Sequence, residues 1–228
     1  MKEKCLVICS GGLDSSTMAL IKKSKGYDVD LISFNYGQKA IKEVQSAQSL
    51  AVKLGGKYET IDISSLSFIF GKNQLTDKDI KVENNYVGSV VVPLRNAVFV
   101  QIAYIYAMVN NYTSICLGSH LDDITLDENG EFMFPDCSPQ FFKLFNKTML
   151  KGIRKENKQT AITSASLEGY YKRDLIIEAY KLDKEVLFNS WSCYNNEVVH
   201  CGTCDSCRNR RNNFTLANIK DETVYVYN

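Results

Sequence analysis

The stretch Ser10-Gly11-Gly12-Leu13-Asp14-Ser15 decides the fold, because it joins a buried strand to a helix through a tight turn. The continuous apolar run at 5–9 is typical of a strand that is buried on both faces, and a helical pattern follows the stretch. Glycines let the backbone approach a ligand closely, and a helix N-terminus presents free N–H groups. The hydroxyls of Ser10, Ser15 and Ser16 add donors. The stretch therefore predicts an anion-binding turn, with an ordinary glycine–serine turn as the alternative.

Length and composition indicate one large α/β domain, alone or with a small appendage, since 45% of the 228 residues are hydrophobic and 23% are charged. The net charge of +1 gives no support for a nucleic-acid partner or an anionic membrane surface. No apolar run reaches the roughly 18 residues of a membrane helix, and the opening residues 1–4 are unlike a signal peptide. We expect a soluble, cytoplasmic protein.

The order of strand and helix patterns predicts an α/β fold with an open, mainly parallel sheet and helices on both faces. Strand patterns occur at 5–9, 29–34, 58–63 and 114–117. After the first helix, helical patterns occur at 40–54, 97–109, 139–150 and 172–182. We interpret the last of these as the final helix of the chain. Residues 64–90 lack periodicity, which indicates a long mobile or ligand-covering loop.

Ligands of open α/β sheets bind beyond the carboxyl ends of the strands. That rule brings the turns after Cys9, Phe34 and Leu117 around one crevice. Arg95 and Asn96 stand at the start of a strongly apolar helix. In the interpretation that we prefer, the guanidinium of Arg95 and the amide of Asn96 face the phosphate site. In the alternative, Asn96 caps the helix and Arg95 is an ordinary surface residue.

An acidic stretch at 122–131 follows the fourth strand. The carboxylates of Asp122 and Asp123 are suitable ligands for Mg²⁺ that accompanies phosphates. A solvated acidic loop is the alternative interpretation.

Four cysteines crowd the C-terminal end in the pattern C-x7-C-x2-C-x2-C: Cys193, Cys201, Cys204 and Cys207. In a cytosolic chain, four such ligands favour a closed tetrahedral zinc site. A redox CxxC pair beside two idle thiols, an iron–sulfur cluster, and His200 in place of one cysteine are the alternatives. A structural zinc would contribute roughly 10 kcal/mol of folding free energy. We therefore divide the chain into an α/β domain at 1–190 and a zinc segment at 191–228 that packs on it.

The glycine stretch resembles the SGGxDS pyrophosphate loop of the PP-loop ATP pyrophosphatases, which cleave ATP between its α- and β-phosphates and adenylate a substrate oxygen. Within that group the chain resembles, over essentially its whole length, the 7-cyano-7-deazaguanine synthase (QueC) family. Besides the loop, the motifs that carry the likeness are FNYGQ at Phe34–Gln38, VPLRN at Val92–Asn96, PDC at Pro135–Cys137 and SCY…CGTCDSCRNR…F at Ser192–Phe214. The C-terminal cysteine pattern is the most specific of them.

The resemblance and the crevice together imply the site residues. ATP and pyrophosphate would be bound by Ser10, Gly11, Gly12, Leu13, Asp14, Ser15, Ser16, Arg95 and Asn96. The substrate would be bound by Phe34, Tyr36, Gln38, Gly118, Asp136, Cys137 and Lys172. Catalytic roles would fall to Ser10, Asp14, Ser15, Arg95 and Asp136. Phe34 and Tyr36 either stack on a planar base or simply pack in the core.

The chain differs from the family pattern at Asn35 (usually Asp), Lys39-Ala40 (usually Arg-His), Ser138 (usually Arg) and Ala165-Ser166 (usually Thr-Pro). The substrate half of the site is where these differences fall. If the missing arginine at position 138 matters, the free acid should bind more weakly, and Ser138→Arg should restore its affinity.

The resemblance implies an ATP-dependent ligase that adenylates 7-carboxy-7-deazaguanine and uses ammonia to form the amide and then the nitrile. ATP, Mg²⁺ and Zn²⁺ are the cofactors this implies, and a homodimer is left open. A related ligase that stops at an amide with another amine, such as a protein terminus, is the first alternative. A tRNA-modifying enzyme and a zinc module that merely binds a partner are further alternatives, and the near-neutral charge disfavours the former.

Overall fold

A computed structural model of the chain describes residues 2–38, 41–71, 92–126, 129–154, 160–195 and 198–226. Most of the predicted ligand-covering loop at 64–90 lies outside these ranges, as does the Lys39-Ala40 difference from the family pattern. The first part of that loop, Ser64–Phe70, forms a 3-10 helix. Of the acidic stretch at 122–131, residues 127–128 lie outside the described residues.

Parallel strands form one five-stranded sheet in the order β3-β2-β1-β4-β5. The strands are β1 Lys4–Ile8, β2 Asp28–Asn35, β3 Tyr58–Asp62, β4 Ser114–Leu117 and β5 Ala161–Ser164. The sequence predicts the first four, and the parallel sheet is confirmed. It misses β5 because this edge strand, AITS, is short and half polar, without the apolar run of a buried strand.

Six α-helices connect and cover the strands within the described ranges. They are α1 Leu13–Ser24, α2 Ile41–Leu54, α3 Arg95–Val109, α4 Pro139–Gly152, α5 Lys172–Asn189 and α6 Asp205–Leu216. The interpretation of 172–182 as the final helix is wrong. Helix α5 continues past a non-helical residue, Asp183, and α6 follows it. Helix α6 escapes prediction because its sequence is strongly polar and carries no apolar stripe.

The two faces of the sheet bury separate apolar cores, because successive side chains of a strand point to opposite faces. Cys5 and Val7 of β1 join the core under α1, α2 and α5. Leu6, between them in sequence, joins the core under α3 and α4. Helices therefore cover both faces of the sheet, as the alternation of strand and helix patterns predicts. No helix in the described part of the chain is both long and apolar enough to cross a membrane.

Parallel strands place all their carboxyl ends at one edge, and the glycines draw the segments there into contact. A Cβ atom on Gly118, just after β4, would lie 2.5 Å from the backbone nitrogen of Ser15. A Cβ atom on Gly11, just after β1, would lie 1.9 Å from the carbonyl oxygen of Glu43. The turns after β1 and β4 and the start of α2 thus meet at the edge of the sheet.

Candidate active site

A cavity of about 490 Å³ opens at the carboxyl edge of the sheet. Its walls come from the turn after β1, the turn after β2, the first turns of α2, α3 and α5, the turn after β4 and residues 191–194. The turns that the sequence predicts around one crevice therefore do share one cavity.

The turn after β1 forms one wall and leads directly into α1. Gly11 has a φ of 90°, in the left-handed region that favours glycine. The N–H of Gly12 donates to the Ser10 hydroxyl at 3.2 Å, and the Ser15 hydroxyl donates to the Gly12 carbonyl at 3.4 Å. Among the described residues, no side chain caps the start of α1 at Gly12. The first N–H groups of this helix therefore remain available for an anion.

Asp14 forms a close ion pair with Lys172, whose Nζ lies 2.9 Å from Oδ2 of the carboxylate. His120 lies beside them, with its Nε2 3.7 Å from the other oxygen of Asp14. Although burial alone raises it, the charges of Lys172 and His120 hold the pKa of Asp14 below its ordinary value. Oδ1 of Asp14 and Nδ1 of His120 are buried without a hydrogen-bond partner among the described residues. The wall thus keeps unsatisfied polar atoms next to the turn at 10–15, which we call the phosphate turn after its predicted role.

The acidic residues after β4 also face the cavity. Asp122 accepts the backbone N–H of Lys172 at 2.7 Å, and Asp123 accepts the backbone N–H of His120 at 3.0 Å. Burial raises the pKa of Asp123, against the opposing charge of His120. Their carboxylates hold the start of α5 and the turn after β4 in place, so they are more than a solvated acidic loop.

The half of the cavity that is formed by the end of β2, the turn after it and the start of α3 is aromatic. The ring of Phe34 stacks on that of Phe99 with centroids 4.5 Å apart. The centroid of the Tyr36 ring lies 5.3 Å from that of Phe99. Arg95 donates from Nη1 to the Tyr36 hydroxyl at 3.2 Å. Phe34 is buried and packs in the core under α3, while it also lines the cavity. Packing in the core is therefore part of what its ring does, and stacking on a planar base stays a prediction.

Gln38 organises the turn after β2. Its side-chain oxygen accepts the N–H of Tyr36, and its side-chain nitrogen donates to the carbonyl of Phe34, both at 2.9 Å. Asn35 adds a further local bond, because its Oδ1 accepts the N–H of Gly37. The amide of Gln38 lines the cavity but is committed to its own turn.

Helix α3 begins at the cavity through a strained residue, since Leu94 has a left-handed φ of 54°. Asp136 accepts the backbone N–H of Asn96 at 3.0 Å and so caps this helix. The side chain of Asn96 instead donates to the sulfur of Cys137 at 3.2 Å. Burial raises the pKa of Cys137 far above the range of ordinary thiols, so this cysteine is a neutral thiol. Arg95, beside the cap, faces the cavity.

Glu43, in the first turn of α2, is a cavity residue that the sequence interpretation does not select. Burial raises its pKa to about 7, although the charge of Arg95 acts in the opposite direction. Its position one turn after the FNYGQ motif is the signal that could have identified it, because the motif brings the start of α2 to the edge of the sheet.

Ser138 and Ser166, two of the remaining differences from the family pattern, make structural hydrogen bonds. Ser138 is buried and caps α4, since its hydroxyl accepts the N–H of Phe141 at 3.2 Å. The Ser166 hydroxyl donates to the carbonyl of Cys137 at 2.8 Å. Ser138, Ala165 and Ser166 are not among the described residues that line the cavity.

The four C-terminal cysteines form one cluster that could hold a metal ion. The sulfur atoms of Cys193, Cys201, Cys204 and Cys207 all lie within 4.8 Å of one another. Cys201 and Cys207 are 3.9 Å apart at sulfur, close to the roughly 3.8 Å that a tetrahedron with Zn–S bonds of about 2.3 Å requires. Backbone N–H groups point at the sulfurs, as from Cys204 to Cys201 at 3.3 Å. The donor set therefore fits a zinc ion held by four thiolates.

His200 is a neighbour of the cluster rather than one of its grouped ligands. Its Nε2 accepts the backbone N–H of Ser192 at 3.1 Å, and its ring lies 4.4 Å from that of Trp191. Ser192 also accepts a hydrogen bond through its hydroxyl, because the fully buried Arg210 donates to the hydroxyls of Ser190 and Ser192, both at 3.0 Å. The predicted domain boundary at 190/191 thus lies inside a buried hydrogen-bonded network, and the division at this point stays a prediction.

Comparisons with known proteins give a consistent result. The family profile described as "Queuosine biosynthesis protein QueC" matches residues 4–218. A 7-cyano-7-deazaguanine synthase of Ruegeria sp. (strain TM1040) is 34% identical to this chain, with 98% of this chain and 93% of the relative covered. A protein of the same description from Thermoplasma volcanium is 31% identical, with 99% and 92% covered.

Solved structures give more distant likenesses. NMN synthetase from Francisella tularensis aligns at a TM-score of 0.47 and 14% identity, with 97% of this chain and 79% of that chain covered. A 4-thiouridine synthetase in complex with RNA and bound ATP aligns at a TM-score of 0.49 and 12% identity, with 95% and 50% covered.

Proposed function

The chain belongs to the QueC family, and from this premise we propose that it is an ATP-dependent carbon–nitrogen ligase that makes 7-cyano-7-deazaguanine from 7-carboxy-7-deazaguanine and ammonia. The observation that carries the proposal is that a phosphate turn and an aromatic, cationic half share one cavity. Relatives of more than 30% identity that carry the name of this synthase support the same small-molecule substrate.

The chemistry requires ATP because a carboxylate is a poor electrophile. Adenylation of the carboxylate oxygen releases pyrophosphate and makes AMP the leaving group. Ammonia then forms the C–N bond as the C–O bond to AMP breaks, which gives the amide. A second adenylation, of the amide oxygen, lets AMP leave again with loss of an N–H proton, which gives the nitrile. Catalysis of this kind depends mainly on positioning and on charge stabilisation.

The phosphate turn has the groups to hold the leaving pyrophosphate. The N–H groups at the start of α1 and the hydroxyls of Ser10 and Ser15 would bind its oxygens. Lys172 supplies a positive charge next to Asp14. Mg²⁺ would be held by the carboxylates of Asp14 and Asp123, where Oδ1 of Asp14 is a buried unsatisfied atom, and it would neutralise phosphate charge.

The aromatic half has the groups to hold the deazapurine acid. The ring of Tyr36 would stack on the planar base, and Arg95 would pair with its carboxylate before adenylation. Asp136 would accept N–H groups from the edge of the base. The four-cysteine cluster would hold zinc in a structural role, since four cysteine ligands leave no open coordination position.

Mass spectrometry of the products formed from ATP, Mg²⁺, 7-carboxy-7-deazaguanine and ammonium tests the proposal. The expected products are the nitrile, AMP and pyrophosphate. Accumulation of the amide alone, or turnover only when an amine-bearing protein is added, would instead support the amide-forming ligase. Modification only of added tRNA would support a tRNA-modifying enzyme.

A further inference from the structure

Five carboxylate side chains line the described part of the cavity: Asp14, Glu43, Asp122, Asp123 and Asp136. Four of them accept a hydrogen bond from a neighbouring N–H or ammonium group. Within the parts of the chain that the structure describes, the carboxylate of Glu43 accepts none. A half-buried carboxylate that is kept without a protein donor is available to a donor that arrives with the substrates.

Glu43 stands where the two halves of the cavity meet. Its backbone carbonyl packs directly on Gly11 of the phosphate turn. Its carboxylate interacts electrostatically with Arg95 from α3, with Tyr36 from the turn after β2 and with Cys9 at the end of β1. The bond between an activated acid and AMP would be made and broken at this junction, between the base-binding half and the phosphate turn.

We propose that Glu43 is the residue that binds ammonium and removes its proton before attack, a role that rests on the proposed function. Ammonia is largely protonated in neutral water, and only the neutral molecule has a lone pair for the reaction. The carboxylate takes one proton from ammonium, and the nitrogen lone pair forms the bond to the acyl carbon. The C–O bond then breaks, its electrons leave on AMP, and a second proton passes from nitrogen to solvent.

The environment of Glu43 suits this role. A general base works best when its pKa lies near the operating pH, and burial moves the pKa of Glu43 upward to about 7. The higher basicity reduces the cost of taking a proton from ammonium. Arg95 opposes this change, so that the carboxylate is still ionised in a large fraction of molecules at neutral pH.

The test compares the wild-type protein with Glu43→Gln, Glu43→Asp and the exposed control Glu185→Gln. Pyrophosphate release from ATP and the acid is measured without any amine, and product formation is then measured with ammonium and with hydroxylamine. Hydroxylamine is a weaker base than ammonia and is largely neutral at neutral pH, so it needs no base before it attacks to give a hydroxamate.

The expected result is that Glu43→Gln still releases pyrophosphate and forms the hydroxamate, but that its ammonium-dependent rate falls by about 100-fold to 10,000-fold. The wild-type ammonium rate should decline below about pH 7, as Glu43 takes up a proton. The residual rate of Glu43→Gln should instead follow the fraction of neutral ammonia, which falls steadily with falling pH across the neutral range, and should show no break near pH 7. Glu43→Asp should recover part of the ammonium rate, and Glu185→Gln should match the wild type.

Equal ammonium dependence in the wild-type and Glu43→Gln proteins would overturn the inference while leaving the proposed function intact. Loss of pyrophosphate release, or equal loss with both amines, would overturn it in favour of a structural role. A wild-type protein that releases pyrophosphate but makes neither amide nor nitrile from ammonium would overturn the proposed function, and the inference with it.

Discussion

The backbone N–H of Trp191 donates to the carbonyl of Gly11 at 2.9 Å, which ties the segment of the four grouped cysteines to the phosphate turn. The indole Nε1 of the same residue donates to the carbonyl of Cys193 at 2.8 Å. Cys193 is one of the four grouped cysteines, so the single residue Trp191 is hydrogen-bonded both to the cysteine cluster and to the phosphate turn. A metal that fixes the cysteines therefore also fixes one side of the phosphate turn.

Loss of the metal should weaken ATP binding. Cys204→Ser should lower the metal content and, because the Trp191 support of Gly11 is loosened, should weaken ATP binding by about tenfold or more. Trp191 is the only tryptophan among the 228 residues, so its fluorescence should report both metal removal by a chelator and ATP addition. Elemental analysis and calorimetry with ATP measure the two quantities.

The matched control for this prediction is Cys116→Ser, which removes a buried thiol of β4 outside the cluster. It should keep the metal at wild-type stoichiometry. Wild-type ATP affinity in a metal-free Cys204→Ser protein, with unchanged tryptophan fluorescence, would show that the Trp191–Gly11 contact does not transmit the state of the metal site.

Gly118 should tolerate no side chain. A Cβ atom at this position would lie 2.5 Å from Ser15 N and 2.8 Å from the carbonyl carbon of Asp14, and both atoms belong to the backbone of α1. Gly118→Ala should therefore lower the free energy of unfolding by about 1–3 kcal/mol and weaken ATP binding. Gly152→Ala is the matched control, because nothing lies within 4 Å of its Cβ position. Denaturant unfolding and ATP calorimetry compare the two, and equal results would contradict the prediction.

Much of the fold follows from local sequence, because the buried strands are continuous apolar runs and the phosphate turn carries its own glycines. The grouping of the four cysteines follows from their spacing, which brings all the sulfurs together. Contacts between distant residues do not follow in the same way. Nothing local in the sequence shows that Trp191 supports Gly11 from a distant part of the chain or that Glu43 is left without a donor among the described residues. Helix α6 is polar: its buried residues include Cys207 of the cysteine cluster and the cation Arg210, and among them Phe214 joins the apolar core under α1, α2 and α5.

Ser138 illustrates the same limit in the substrate half. The sequence suggests that an arginine at this position would pair with the substrate acid, yet the side chain at 138 is buried and caps α4. Ser138→Arg should therefore lose a cap worth about 1 kcal/mol and bury a guanidinium, with no gain in affinity for the acid. Ser138→Thr, which keeps the hydroxyl, is the control. Tighter binding of 7-carboxy-7-deazaguanine by an equally stable Ser138→Arg protein would restore the original hypothesis.

Glu43 should reduce stability at the pH where it is needed for activity. Its pKa in the folded protein is raised from an ordinary 4.5 to about 7, so between these values the native state holds a proton that the unfolded chain has lost. The stability linked to Glu43 is thus complete below pH 4.5 and is lost as the pH rises through about 7. Glu43→Gln removes this loss and should be more stable than the wild type above neutral pH, by at most about 3 kcal/mol.

The pH dependence of that gain separates the desolvated carboxylate from an ordinary packing change. Near pH 5 the advantage of Glu43→Gln should shrink below about 1 kcal/mol, because the folded wild type is then protonated and little of the linked stability has been lost. Urea unfolding of both proteins between pH 5 and pH 8 measures it, with the exposed Glu185→Gln as the control that should show no such trend. A variant that gains stability at high pH while it loses ammonium-dependent turnover would show a group held at a functional site against the stability of the fold. A constant difference across this range would mean that Glu43 stays ionised throughout, and its assignment as the base would lose its electrostatic support.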